Sequence, residues 1–175
     1  MEPSEIKNEQ TVRRNASANQ VDLIEIEREY NVPVQRLFDA FKSPEAIKAW
    51  WWPNGLYTDQ VNLDFREGGD YFINMKGSRQ SAGGMTGQFE EIVDNKRIVM
   101  SDSFADENGH AISAKEANMP GEWPDEIHVT FDFDSVSESK SRVKLSQDGI
   151  PPDVQKDCKQ GWSEMFDKLE KYLSS

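Results

Sequence analysis

PPDVQKDCKQGWSEMFDKLEKYL, residues 151–173, is the longest stretch of the chain with a single periodicity. Val154, Cys158, Trp162, Met165, Phe166, Leu169, Tyr172 and Leu173 recur at spacings of three and four, which gathers them on one side of a helix. Gln155, Lys156, Lys159, Glu164, Lys168 and Lys171 fall on the other side. Pro151 and Pro152 suit a first turn, where a missing N–H costs little, and no later proline interrupts the run. An amphipathic helix of this length needs an apolar surface to lie on. Everything upstream reads mostly as strands, so that surface is a sheet, and the functional question is whether the space between sheet and helix is filled or hollow.

Working back from the helix, residues 126–136 and 141–148 alternate as strands, as do 58–65, 70–76, 83–93 and 97–104, each pair separated by short turns rich in Gly, Asp or Asn. Sequential short strands with tight turns form an antiparallel sheet. Residues 21–30 give a first strand, with Ile24, Ile26 and Tyr30 on one face and Glu25, Glu27 and Glu29 on the other. Two short helices follow. One covers 34–41; the second begins at Ser43-Pro44-Glu45, with Ser43 as N-cap and Pro44 in the first helical position, and ends at Trp50-Trp51-Trp52-Pro53. Residues 105–124 break the rhythm as a long irregular loop carrying Trp123, the kind of segment that serves as a lid.

The chain of 175 residues fits one domain over 21–175, preceded by a polar arm or edge strand over 1–20. A formal net charge of -12 argues against nucleic-acid and anionic-membrane partners. No window has the apolar length of a membrane span and the N-terminus lacks a signal-peptide pattern, so the cytoplasm is the default location. The one cysteine, Cys158, reads as a small buried hydrophobe.

Alternation assigns the strand faces toward the helix. Tyr71 and Met75 share one such face, then Met85, Phe89 and Glu91, then Met100, Asp102 and Phe104, then Phe131, and last Gln147. Glu91, Asp102 and Gln147 are polar exceptions. Either they orient a ligand in an apolar pocket, or they stand at strand ends or beside a bulge that shifts the register. Glu91 and Asp102 are the only candidates for acid–base catalysis, and no nucleophile, metal motif or phosphate loop accompanies them. The two histidines, His110 in the loop and His128 on the outward face, have no ligand-spaced partner, so neither a metal nor a cofactor is expected. Trp51, Trp52, Trp123, Trp162, Met165 and Phe166, with the inward strand residues, either fill the core or line a hydrophobic ligand cavity.

Val32-Pro33-Val34-Gln35-Arg36-Leu37-Phe38, Ser43-Pro44-Glu45, Trp50-Trp51, Gly68-Gly69-Asp70-Tyr71, Gly87-Gln88-Phe89-Glu90-Glu91-Ile92, Arg97-Ile98-Val99-Met100 and Gly161-Trp162 occur in that order. In this pattern the chain resembles the family named after the activator of Hsp90 ATPase, within the START/Bet v 1-like superfamily. Trp52 before Pro53 and the length of the 105–124 loop depart from the pattern. The resemblance implies an α+β helix-grip fold: a curved antiparallel sheet of about six to seven strands around the long C-terminal helix, with two short helices after the first strand. It also implies non-catalytic binding of a small hydrophobic ligand, of lipid, sterol, polyketide or aromatic class, between sheet and helix. The alternatives are a chaperone-associated or stress-response interaction protein with a chaperone partner, and a cyclase- or hydrolase-like enzyme using the cavity carboxylates.

Overall fold

In the computed structural model, which describes residues 23–77 and 83–175, the N-terminal strand pairs with the last one and so brings the ends of the domain together. The elements are β1 (Ile24–Tyr30), α1 (Val34–Asp39), α2 (Pro44–Trp50), β2 (Leu56–Tyr57), β3 (Val61–Leu63), β4 (Asp70–Asn74), β5 (Lys76–Gly77), β6 (Gly84–Val93), β7 (Arg97–Ala105), β8 (Ile127–Ser137), β9 (Lys140–Gln147) and α3 (Gln155–Leu173). A 3-10 turn, Pro152–Val154, leads into α3. Seven strands form one antiparallel sheet in the order β1-β9-β8-β7-β6-β4-β3, and β2 and β5 make a separate ladder. This is the expected helix-grip architecture. The expected arm over 1–20 lies outside the described residues.

Ser43 accepts a hydrogen bond from Ala46 N and Pro44 opens α2, as the sequence implied. The inner face of the sheet runs in cross-strand rows. Phe89, Met100, Val129, Gln147 and Ile24 form one row, and Ile98, Phe131, Leu145 and Ile26 the next. Trp162, Met165, Phe166, Leu169 and Leu173 of α3 bury themselves on these rows. Polar ties fix the helix over the sheet: Tyr30 Oη donates to the Phe166 carbonyl at 3.0 Å, and Arg28, on the inner face of β1, reaches Asp167 at 2.7 Å. Arg36 of α1 donates to the Leu173 carbonyl at the helix end. No helix among the described residues is long and apolar enough to cross a membrane.

Two inward assignments from alternation fail, each for a local reason. Between Phe89 and Glu91 the β6–β7 pairing slips by one residue, from Phe89↔Met100 to Glu91↔Val99. An extra residue in one strand reverses the faces beyond it. Ile92, paired with Ile98, therefore turns to the core, and Glu91 is half-exposed beside Arg97. Met75 leaves the inner face because β4 ends at Asn74. The buried Asn74 Oδ1 accepts from Thr58 Oγ1 and from the backbone N–H groups of Asp59 and Gln60, which ties the chain sideways there. Met75 then lines an edge cleft of about 480 Å³ with Tyr57, Gln60 and Glu107.

Candidate functional site

Among the described residues Asp102 is the one buried carboxyl, on the inner face of the sheet, paired across to Ile127 and only 7% exposed. Tyr71, from β4, reaches past β6 to meet it: its Oη lies 2.6 Å from Asp102 Oδ1 and 2.8 Å from the Ser101 carbonyl oxygen. The reach is possible because Tyr71 pairs across to Gly87, which puts no side chain between the phenol and Asp102. A Cβ on Gly87 would stand 2.0 Å from the Ser101 oxygen, so only glycine permits this approach.

One hydroxyl proton faces two acceptors here. If Tyr71 donates to the Ser101 carbonyl, Asp102 keeps its short contact only by carrying a proton of its own and donating to Tyr71 Oη. If Asp102 is ionised, Tyr71 must turn its proton to the carboxylate and leave Ser101. Burial pushes the Asp102 carboxyl up to about 7, against the opposing hydrogen bond from Tyr71. Burial and the Asp102 charge hold the Tyr71 phenol well above its ordinary range. The pair therefore changes its hydrogen-bond arrangement near neutral pH.

Around it the inner face is apolar. Met100 and Phe89 are in the contiguous core. Met85 and Phe104, paired with each other one row beyond Asp102, lie outside that cluster, and Phe104 is covered by the 106–126 segment. That segment is compact, with Ala117 fully buried and Ser113 and Glu116 exchanging cap hydrogen bonds. Its Trp123 packs edge-on against Phe104, ring centres 5.2 Å apart, and Gly121 rests on Pro151 at the start of α3. Gln147 is buried and accepts from Trp162 Nε1 at 2.9 Å. Trp51 is buried against Trp162, Trp162 packs in turn on Phe131 and Phe166, and Met165 is buried beside them. Trp52 is half-buried at the margin. Its backbone is left-handed, its indole N–H donates to the Asn74 carbonyl, and its own carbonyl accepts from Lys168.

The structure thus gathers Tyr71, Asp102, Met85, Phe104 and Trp123 at one end of the sheet, and Trp51, Phe131, Gln147, Trp162, Met165 and Phe166 in the packed middle. Among the described residues two clefts open away from the space between sheet and helix. The larger of the two, about 600 Å³, occupies the outer face of β3, β4, β6 and β7, roofed by 108–111. The acid–base pair of Glu91 with Asp102 is not assembled, because the bulge puts Glu91 on the far side from Asp102. Ser101 and Gly87 were not among the sequence candidates; the only signal for them was a glycine inside a strand, which marks a bulge or a close approach.

Cys158 is half-buried on α3, and burial, with the Asp157 charge, pushes its thiol up to about 11. A thiol in that state has little thiolate at neutral pH. Native protein at pH 7.5 is expected to react with a disulfide reagent such as DTNB at least about tenfold more slowly than the denatured chain; equal rates would remove this reading.

The family model for activator of Hsp90 ATPase homolog 1-like protein matches residues 31–174. A search of curated proteins returned no match. Among solved structures the chain is similar to a protein from Chromobacterium violaceum, at 23% identity and TM-score 0.70, with 88% of this chain and 98% of that one covered. It is similar to the AHSA1 protein from Silicibacter pomeroyi, at 21% identity and TM-score 0.68, over 87% and 97% of the two chains. A third likeness is to an HSP90 activator from Plasmodium falciparum, at 24% identity and TM-score 0.62, over 87% and 96%. At these identities the structural likenesses speak for a common fold.

Proposed function

The chain belongs to the activator of Hsp90 ATPase homolog 1-like family, and on that footing we propose that it binds, without catalysis, a small apolar molecule carrying one polar group on the inner face of the sheet, at the end covered by the 106–126 segment. The supporting observation is the Asp102–Tyr71 pair. A carboxyl and a phenol buried on an apolar inner face cost folding free energy that their hydrogen bonds only partly offset, and small-molecule sites combine apolar walls with a few such groups. The polar end of the ligand meets Asp102 and Tyr71, its apolar part lies against Met85, Phe104 and Trp123, and entry requires the 106–126 segment to lift from Phe104. Fatty acids, sterols and aromatic polyketides all have this form.

Native mass spectrometry of gently purified protein, with thermal denaturation in the presence of that panel, tests the reading. The expected result is one adduct that leaves on unfolding and raises the melting temperature, with affinity about tenfold weaker in Asp102→Asn, as the loss of one charge-assisted hydrogen bond implies. No adduct and no shift with any member of the panel overturns it. A second reading is favoured by the filled middle of the interior, where Trp50, Phe131 and Phe166 are fully buried: a protein-interaction role of the kind named for the Plasmodium falciparum neighbour. Stimulation of an Hsp90 ATPase by the ligand-free protein would support that role instead.

A further inference from the structure

On the outer face of the same sheet, away from Asp102, residues from three separate stretches converge on one imidazole. His128 of β8 has Nε2 2.9 Å from Glu90 Oε1 and 3.6 Å from Glu126 Oε1. Its Nδ1 lies 3.3 Å from Asp148 Oδ2, while the other Asp148 oxygen accepts from the His128 backbone N–H at 2.6 Å. Glu90 stands where the β6 bulge begins. We propose that Glu90, Glu126 and the Nε2 of His128 form a binding site for a divalent first-row transition metal, of the zinc class, with Asp148 as the group that orients the imidazole.

Three observations carry this. The donor atoms all lie within 4.8 Å of one another, and metal bonds of about 2.1 Å in tetrahedral geometry hold donors about 3.4 Å apart, so both measured Nε2–oxygen separations fall close to what one ion would impose. The ring is held from behind. Asp148 Oδ2 stands 3.3 Å from Nδ1, and a carboxylate on the far nitrogen is the usual partner of a metal-bound histidine. Charge points the same way: three carboxylates around one imidazole stay net negative whether the ring is neutral or charged. One imidazole with two carboxylates suits zinc or manganese better than calcium, which prefers oxygen alone. Glu126 also lines the outer cleft of about 600 Å³, so an ion held here would face a groove wide enough for a small polar molecule. Histidine and cysteine spacing in the sequence does not reveal the site, because its carboxylates come from β6 and from the ends of β8 and β9.

Zinc titration calorimetry on the metal-free protein decides it. The expected result is one Zn²⁺ per chain, with affinity at least about tenfold weaker in His128→Ala and in Glu90→Gln, and about ten- to a hundredfold weaker in Asp148→Asn, whose side chain does not touch the ion. His110→Ala, which removes the other histidine, leaves binding unchanged, as does Asp102→Asn. Thermal denaturation of each variant identifies any that fails to fold; the Glu90 and Asp148 changes are isosteric and exposed, and they keep the test open if His128→Ala does not fold. Absence of binding in the wild type, binding that survives His128→Ala and Glu90→Gln at full affinity, or calcium binding as tight as zinc would each overturn the proposal.

Discussion

Asp102→Asn makes the protein more stable than the wild type at pH 8, by a margin that shrinks as the pH falls. The folded carboxyl titrates at about 7 while the unfolded one titrates near 3.8. Between those values the native state keeps a proton that the unfolded chain has already lost. The stability connected with this group is therefore complete below about pH 4, declines as the pH rises toward 7, and is flat above it. For a gap of about three pH units the total decline is on the order of 4 kcal/mol, of which about 2–3 kcal/mol falls between pH 5 and pH 8. Asparagine copies the protonated acid: its amide donates to Tyr71 Oη while Tyr71 still donates to Ser101, and it has no charge to lose. Urea denaturation of both proteins at pH 5 and pH 8 gives two differences in free energy, and subtraction removes every other titrating group. A difference that widens by about 2–3 kcal/mol toward pH 8 is expected. Parallel pH profiles for the two proteins would mean that Asp102 is ionised in the native state and that Tyr71 gives its proton to the carboxylate throughout.

This pair also marks how far the sequence could be read. Helix α3, its stripe and the Ser43-Pro44 start of α2 rest on interactions within a few residues, and each stands where its periodicity or cap residue put it. The inward positions of Tyr71, Met100, Asp102 and Phe131 follow from alternation, a local property of each strand. Contacts between strands do not. Alternation alone turns Glu91 inward and cannot locate the bulge that the sequence leaves open as an alternative, and the tether by Asn74 that carries Met75 off the inner face depends on Thr58, Asp59 and Gln60. That Tyr71 reaches Asp102 across an intervening strand depends on the register of β4 on β6, which puts Gly87 between them. Glu90, Glu126, His128 and Asp148 each look like ordinary surface residues until the sheet closes. What remained illegible is thus the register, which is where the chemistry of both the inner and the outer face resides.

Trp162→Ala separates a filled interior from a hollow one. Trp162 is 7% exposed at the centre of α3, with Trp51, Phe131 and Phe166 around its ring at centroid distances of 5.4, 5.7 and 6.0 Å, and its N–H is the donor to Gln147. In a filled core, truncation loses the buried ring and leaves a cavity, at about 3–5 kcal/mol, and strands the buried Gln147 oxygen, which adds about 1–3 kcal/mol where no water replaces the indole. At this chain length each kcal/mol lowers the melting temperature by about 2–4 °C, so a fall on the order of 10–20 °C is expected. Trp162→Phe keeps most of the packing and loses only the donor, and falls by a few degrees. Free indole, which fits the space vacated in Trp162→Ala, restores part of the loss. Were Trp162 instead the wall of an open cavity, its neighbours would already border empty space; truncation would then cost less than about 2 kcal/mol and indole would stabilise the wild type as well as the variant. That second outcome would place the ligand under the middle of α3; the first confines it to the end of the sheet where Asp102, Met85 and Phe104 lie beneath Trp123.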